Sequence, residues 1–267
     1  MPCNCNKKKK QAEVKTKNNS NIKIVNGNTV NYKKYPFFGR LWITKADGST
    51  ALCGGALIKK GTESIVITAA HCVDVSTDKI QVGFYQPTRC KKKYIYDVTK
   101  ITIYPGWDRN VFINDIALLY IAGTPPSEVP VLAIPDKILG AKFIIPGTKT
   151  KSIGYGEIEQ GKKDACLLQC GCVPIVSRTN PENLWSAAVK SQESIIFAGQ
   201  SFSNPSQNVN ICTGDSGGPL LYVYNGVTYL VGLNSFVSTN GCSAYGYPGG
   251  YTNVNYLREW ITINAGV

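Results

Sequence analysis

From Ile24 onward, short apolar runs alternate with turn residues. The runs are FFGRLWIT, ESIVIT, KIQVGFY, KYIYDVTKITIY and DIALLYI, then KFIIPGT, KTKSIGYG, LLYVYNG and VTYLVGLNSFV. Val, Ile, Thr and Tyr dominate them, and Gly, Pro, Asn and Asp punctuate them. Short strands at this spacing predict an all-β protein built of barrels or sandwiches. The proline-rich stretch AGTPPSEVPVLAIPD, residues 122–136, reads as a linker between two β units. Near the end, Leu257, Trp260, Ile261 and Asn264 recur at helical spacing, so residues 254–267 are expected to form one terminal helix packed on the body. The β units are then 24–133 and 134–253. Residues 1–23 lack any such pattern: Lys and Asn dominate them, and they read as a disordered basic segment.

Charge changes this picture little. The formal net charge is +12, but seven of the 29 basic residues and one of the 17 acidic ones lie in residues 1–23. The remainder carries 22 basic and 16 acidic side chains. With half of the net charge in the tail and no aromatic–basic stacking platform, no nucleic-acid partner is expected. No apolar stretch is long enough for a membrane-spanning helix.

Ten cysteines favour an oxidising destination. Yet MPCNCNKKKKQAEVKTKNNSNIK holds no apolar h-region of a signal peptide. Either the true start lies upstream, or the disulfides form by an unusual route, such as inside a virion or a specialised compartment.

The chain has a single histidine, His71, which leaves one conventional general base near neutral pH. It sits in TAAHC (68–72). Two further stretches, NDIALL (114–119) and CTGDSGGPL (212–220), carry Asp115 and Ser216. A serine hydroxyl is a weak nucleophile. It needs a base to take its proton, and the base needs a buried acid to hold its tautomer and stabilise its charged form. His71, Asp115 and Ser216 supply those types in the order His, Asp, Ser.

With CGGALI (53–58), IVNG (24–27) and GGYTNV (249–254) in the expected order, the chain resembles the chymotrypsin/trypsin family of serine endopeptidases from residue 24 to its end. The resemblance implies two antiparallel Greek-key β-barrels with the active site between them, a C-terminal helix, and a monomer acting on protein or peptide substrates. It implies oxyanion donors at the N–H groups of Gly214 and Ser216. It also implies a precursor. Cleavage after Lys23 would free the Ile24 ammonium to pair with Asp215, and residues 1–23 would be the activation peptide.

By the same resemblance Asn210 forms the floor of the primary specificity pocket, Ile211 lies beside it, and Val237 and Gly249 form its walls. Ser235 and Phe236 lie on the strand that pairs with substrate backbone. A neutral floor argues against Lys or Arg before the scissile bond, and Val237 narrows the entrance. Small to medium aliphatic residues are expected there instead. Such an enzyme would not cut after Lys23, so a separate activating protease is implied.

The resemblance also suggests the disulfides Cys53–Cys72 and Cys212–Cys242, while Phe197 stands where a further cysteine is expected. The pairing of Cys3, Cys5, Cys90, Cys166, Cys170 and Cys172 stays open, with Cys90–Cys166 one possibility. Cys170 and Cys172 would point to opposite faces of a strand, so they are poor partners for one ligand. The spacing of Cys3 and Cys5 matches no usual zinc pattern, and TRCKKK (88–93) is basic where calcium would need acidic oxygens. No metal or cofactor is expected. The alternative reading is a catalytically inactive homologue acting as a binding module.

Overall fold

The computed structural model describes residues 24–86, 93–157, 165, 167–199 and 208–267. Lys23, Cys3, Cys5, Cys90, Cys166 and most of TRCKKK, and the expectations attached to them, lie outside the described residues.

The first strand, β1 (Asn28–Thr29), is short. Six longer strands follow: β2 (Phe38–Lys45), β3 (Thr50–Lys59), β4 (Ser64–Thr68), β5 (Thr77–Phe84), β6 (Ile95–Ile103) and β7 (Ala117–Ile121). They close into an antiparallel barrel in the order β2-β3-β4-β7-β6-β5. After the linker come α1 (Lys137–Phe143), β8 (Lys149–Gly154), β9 (Gln169–Val176), α2 (Ala187–Lys190), β10 (Ile195–Ala198), β11 (Pro219–Tyr224), β12 (Val227–Phe236), β13 (Gly249–Asn253) and α3 (Arg258–Ala265). Strands β9-β10-β13-β12-β11-β8 form a second antiparallel barrel, closed by β8 pairing back to β9. Strand β1 adds to β9 from outside, with Asn28 opposite Cys170, so the start of the described chain is strapped to the second barrel.

Most strands fall where apolar runs occur, because closing a barrel buries one face of each strand. KFIIPGT does not form a strand. Lys142 and Phe143 end α1, which begins where Asp136 accepts the Leu139 N–H at 2.8 Å. Such a side-chain cap satisfies one of the amides left open at a helix start. Phe143 is then buried against the rings of Tyr222, Tyr224 and Tyr229. The terminal helix starts at Arg258, after a turn, with Leu257 and Ile261 buried. It packs toward the first barrel, where the Tyr120 hydroxyl donates to Asn264 O at 2.9 Å.

Each barrel has its own core, around Leu41, Val66, Phe84 and Leu119 in the first and Val173, Ile196, Leu220 and Tyr251 in the second. A third cluster, with Phe38, Ile67, Leu118, Ile153, Leu233 and Ile261, joins the barrels. Two backbones nearly touch at this seam. A Cβ on Gly54 of β3 would lie 2.9 Å from Gly218 Cα, and the Gly54 N–H donates to Ser216 O at 2.7 Å. Glycine is required for so close an approach. Among the described residues no helix is long and apolar enough to cross a membrane.

Candidate active site

His71 follows β4 in a single 3-10 turn, Ala70–Cys72. The Cys53–Cys72 disulfide ties that turn to β3. Asp115 lies just before β7 and is 1% exposed. Its Oδ1 accepts the His71 backbone N–H at 2.9 Å, and its Oδ2 lies 2.7 Å from His71 Nδ1. An ionised carboxylate only accepts, so the bond places the ring proton on Nδ1 and leaves Nε2 as an acceptor.

The second barrel completes the cage around this carboxylate. Ser235 Oγ, on β12, donates to Asp115 Oδ2 at 2.5 Å, and Thr252 Oγ1, on β13, donates to Asp115 O at 2.7 Å. Asp115 is therefore gripped from both barrels, with bonds that offset the cost of burying its charge.

Ser216 is half-buried in the turn between residues 210 and 218. Gly214 and Gly217 hold φ of +87° and +74°, in the left-handed region that favours glycine. The Gly217 N–H donates to Asn234 O at 2.8 Å, Asn234 Nδ2 donates to Asp215 O at 2.9 Å, and Ser152 Oγ donates to Asn234 Oδ1 at 2.9 Å. Among the described residues, neither the Gly214 nor the Ser216 N–H has a protein acceptor, and no hydrogen bond joins Ser216 Oγ to His71. That last contact is commonly long in unliganded sites.

Asp215 is 1% exposed. It accepts the Gly156 N–H on Oδ1 at 2.8 Å and the Cys212 N–H on Oδ2 at 3.0 Å. Gly156 is needed there, since a Cβ would fall 2.6 Å from the Asp215 Cγ. Ile24 is fully buried, and the next residue, Val25, bridges Asn210 through Asn210 N to Val25 O at 3.4 Å. The Cys212–Cys242 disulfide braces this region from the far side.

Asn210 is 1% exposed and its amide is committed internally. Oδ1 accepts the Ile211 N–H at 2.9 Å, and Nδ2 lies 3.5 Å from Tyr247 O. Ile211 and Gly249 are buried beside it, and Val237 packs, half-buried, on the same cluster as Ile211 and Tyr251. The space that Gly249 leaves is filled by Asn210 Oδ1, the Tyr251 ring and Ile211. Burial first, and then the Asp215 charge, push the Tyr251 hydroxyl above its ordinary pKa, so it stays neutral over the working range.

Sequence reasoning missed an aromatic row beside His71. Phe112 meets the His71 ring edge-on at 5.6 Å and the Phe236 ring at 5.8 Å. Trp185 stands perpendicular to Phe236 at 5.1 Å. Phe112 has φ +53°, which no periodicity announces. Asp74 was missed as well. It accepts from Trp107 Nε1 at 2.6 Å and pairs with Arg109, whose Nη2 also reaches His71 O at 3.2 Å. Cys170 and Cys172 are both disulfide-bonded. Disulfides of this kind point to an oxidising compartment.

A family model described as Trypsin matches residues 24–261. Chymotrypsin-C of Mus musculus is 31% identical over 248 residues, covering 90% of this chain and 87% of that protein. Trypsin-1 of Astacus astacus is 31% identical over 251 residues, covering 91% of this chain and 100% of that protein. The solved structure of HL collagenase aligns with a TM-score of 0.77 over 91% of this chain and 99% of that one, at 23% identity, a likeness of fold alone. With the family's motifs in order on two closed barrels, the chain belongs to the trypsin family of serine endopeptidases.

Proposed function

We propose that Ser216 is the nucleophile, His71 the general base and Asp115 the acid that orients it. The observation that carries this reading is the buried Asp115 carboxylate. It holds both the ring and the backbone of the only histidine, at 2.7 and 2.9 Å. Ser216 Oγ attacks the scissile carbonyl while His71 Nε2 takes its proton. The oxyanion forms against the Gly214 and Ser216 N–H groups. His71 then protonates the leaving amine, and water resolves the acyl-enzyme by the same steps. A fluorophosphonate probe tests it: processed protein should label and Ser216→Ala should not. Absence of labelling in processed wild type would favour a silent homologue.

The protein is made as a precursor, and cleavage between Lys23 and Ile24 activates it. Ile24 holds φ +39°, a region β-branched residues avoid. Cutting the preceding peptide bond abolishes that torsion and releases roughly 1–3 kcal/mol of strain. The new ammonium then pairs with Asp215. Asn210, Ile211, Val237 and Gly249 form a neutral, narrow pocket suited to small or medium aliphatic side chains. A different protease, one that cuts after lysine, must supply the activating cleavage. The mature enzyme acts as a secreted monomer.

A further inference from the structure

An open cavity of about 780 Å³ is lined by Lys137, Arg178, Lys190, Glu193, Asn253 and Tyr256, among others. Three cations face one carboxylate. Among the described residues, none of the three cations forms an ion pair. Arg178 instead donates to backbone carbonyls, at 2.5 Å to Gln192 O, 2.7 Å to Ile195 O and 3.3 Å to Glu193 O. Lys190 Nζ likewise donates to Asn183 O at 3.1 Å. Carbonyl dipoles satisfy the N–H groups but carry no net charge, so of the named lining side chains only Glu193 offsets the three positive charges. Burial lowers the Arg178 pKa, with Glu193 acting the other way. A guanidinium stays charged through such a shift.

Two elements link the cavity to the residues around His71 and Asn210. Its lining residues Ala187 and Lys190 follow in sequence on Trp185, which meets Phe236 of the aromatic row and also Tyr247. Its wall residue Asn253 closes β13, whose other end, Gly249, stands at Asn210. Four residues of strand separate those ends by roughly 13 Å. A peptide lying along residues 235–237, with one side chain at Asn210, needs at least about four extended residues to span that distance.

We propose that this cavity is a recruitment site for an acidic segment of protein substrates, located upstream of the scissile bond. The proposal rests on the endopeptidase reading and on residues 235–237 as the strand that pairs with substrate. Three cations with an acid among them suit a short run of carboxylates better than a long polysulfated glycan, which needs a continuous cationic track.

The test uses processed enzyme and two fluorogenic peptides that share the residues around the cleaved bond. One carries an upstream run of Glu, the other the same run of Gln. The Glu peptide should show a KM lower by about fivefold, the scale of a few screened ion pairs, with kcat unchanged. The gap should close at about 0.5 M salt. Lys137→Ala with Lys190→Ala should erase the gap while leaving Gln-peptide turnover and probe labelling intact. Lys137→Ala alone, at an exposed position, should narrow it. Cleavage of both peptides with equal KM overturns the proposal, as does a gap that survives the double variant. So does binding of a sulfated glycan that needs both lysines while peptide KM does not. Failure to cut either peptide, with no labelling, defeats the endopeptidase reading beneath it.

Discussion

Asn210→Asp should redirect cleavage from aliphatic residues to lysine and arginine. Asn210 is 1% exposed, accepts the Ile211 N–H at 2.9 Å and has Nδ2 3.5 Å from Tyr247 O. An aspartate keeps the first bond, but the second becomes an oxygen facing a carbonyl. Leaving a buried acceptor unpaired costs the free enzyme about 1–3 kcal/mol. A substrate cation entering the pocket relieves that cost. Depriving a buried charge of its partner costs about 3–5 kcal/mol. At about 1.4 kcal/mol per decade, the lysine-over-alanine ratio of kcat/KM should therefore rise by about a hundredfold to a few thousandfold. The assay is kcat/KM on fluorogenic amides ending in Lys or Ala, normalised by active-site titration. A second readout comes from the chain itself. The residue before Ile24 is Lys23, so the Asn210→Asp precursor should process itself on incubation, while the wild-type precursor stays intact. The reasoning is refuted if the ratio does not move, or if wild type already prefers lysine.

Ser235→Ala removes a 2.5 Å donor from Asp115 Oδ2. A bond to a charged group is worth about 1.5–3 kcal/mol, so kcat should fall roughly tenfold to a hundredfold with KM unmoved in steady-state assays; an unchanged kcat would remove Ser235 from the site. Gly217→Ala places a Cβ 2.5 Å from Gly54 O at a φ of +74°. It should lower thermal stability by about 3 kcal/mol or more, read by calorimetry on the Ser216→Ala background so that self-digestion does not intrude.

The turn around Ser216 was legible because the proposed chemistry demands particular residues in a short string: an acid, a serine and glycines at positive φ. The barrel strands were legible where Val, Ile, Thr and Tyr cluster. Strands β3, β9, β10 and β13 escaped the periodicity because Cys or Gly dilutes β3, β9 and β13, Pro interrupts β9, and β10 has only four residues. KFIIPGT looked like a strand, yet the Asp136 cap and the tyrosine cluster around Phe143 drew its first residues into a helix. Phe112 was invisible as a neighbour of His71 because its position depends on a loop backbone at φ +53°.

By itself the sequence determined the all-β class and marked His71, Asp115 and Ser216 as candidates for a base, an acid and a nucleophile, while Asn210 was picked out only by the family resemblance. The class and the three candidates follow from local periodicity and side-chain chemistry, which need no neighbours to be read. Only the tertiary structure decided how Asp115 is held, with Ser235 and Thr252 reaching it from 120 and 137 residues away. It alone decided that Asn210 spends its own amide on Ile211 and Tyr247, and that three cations from separate elements gather around a single carboxylate, Glu193. Barrel closure makes those neighbours, and no local pattern records which distant residues it brings together.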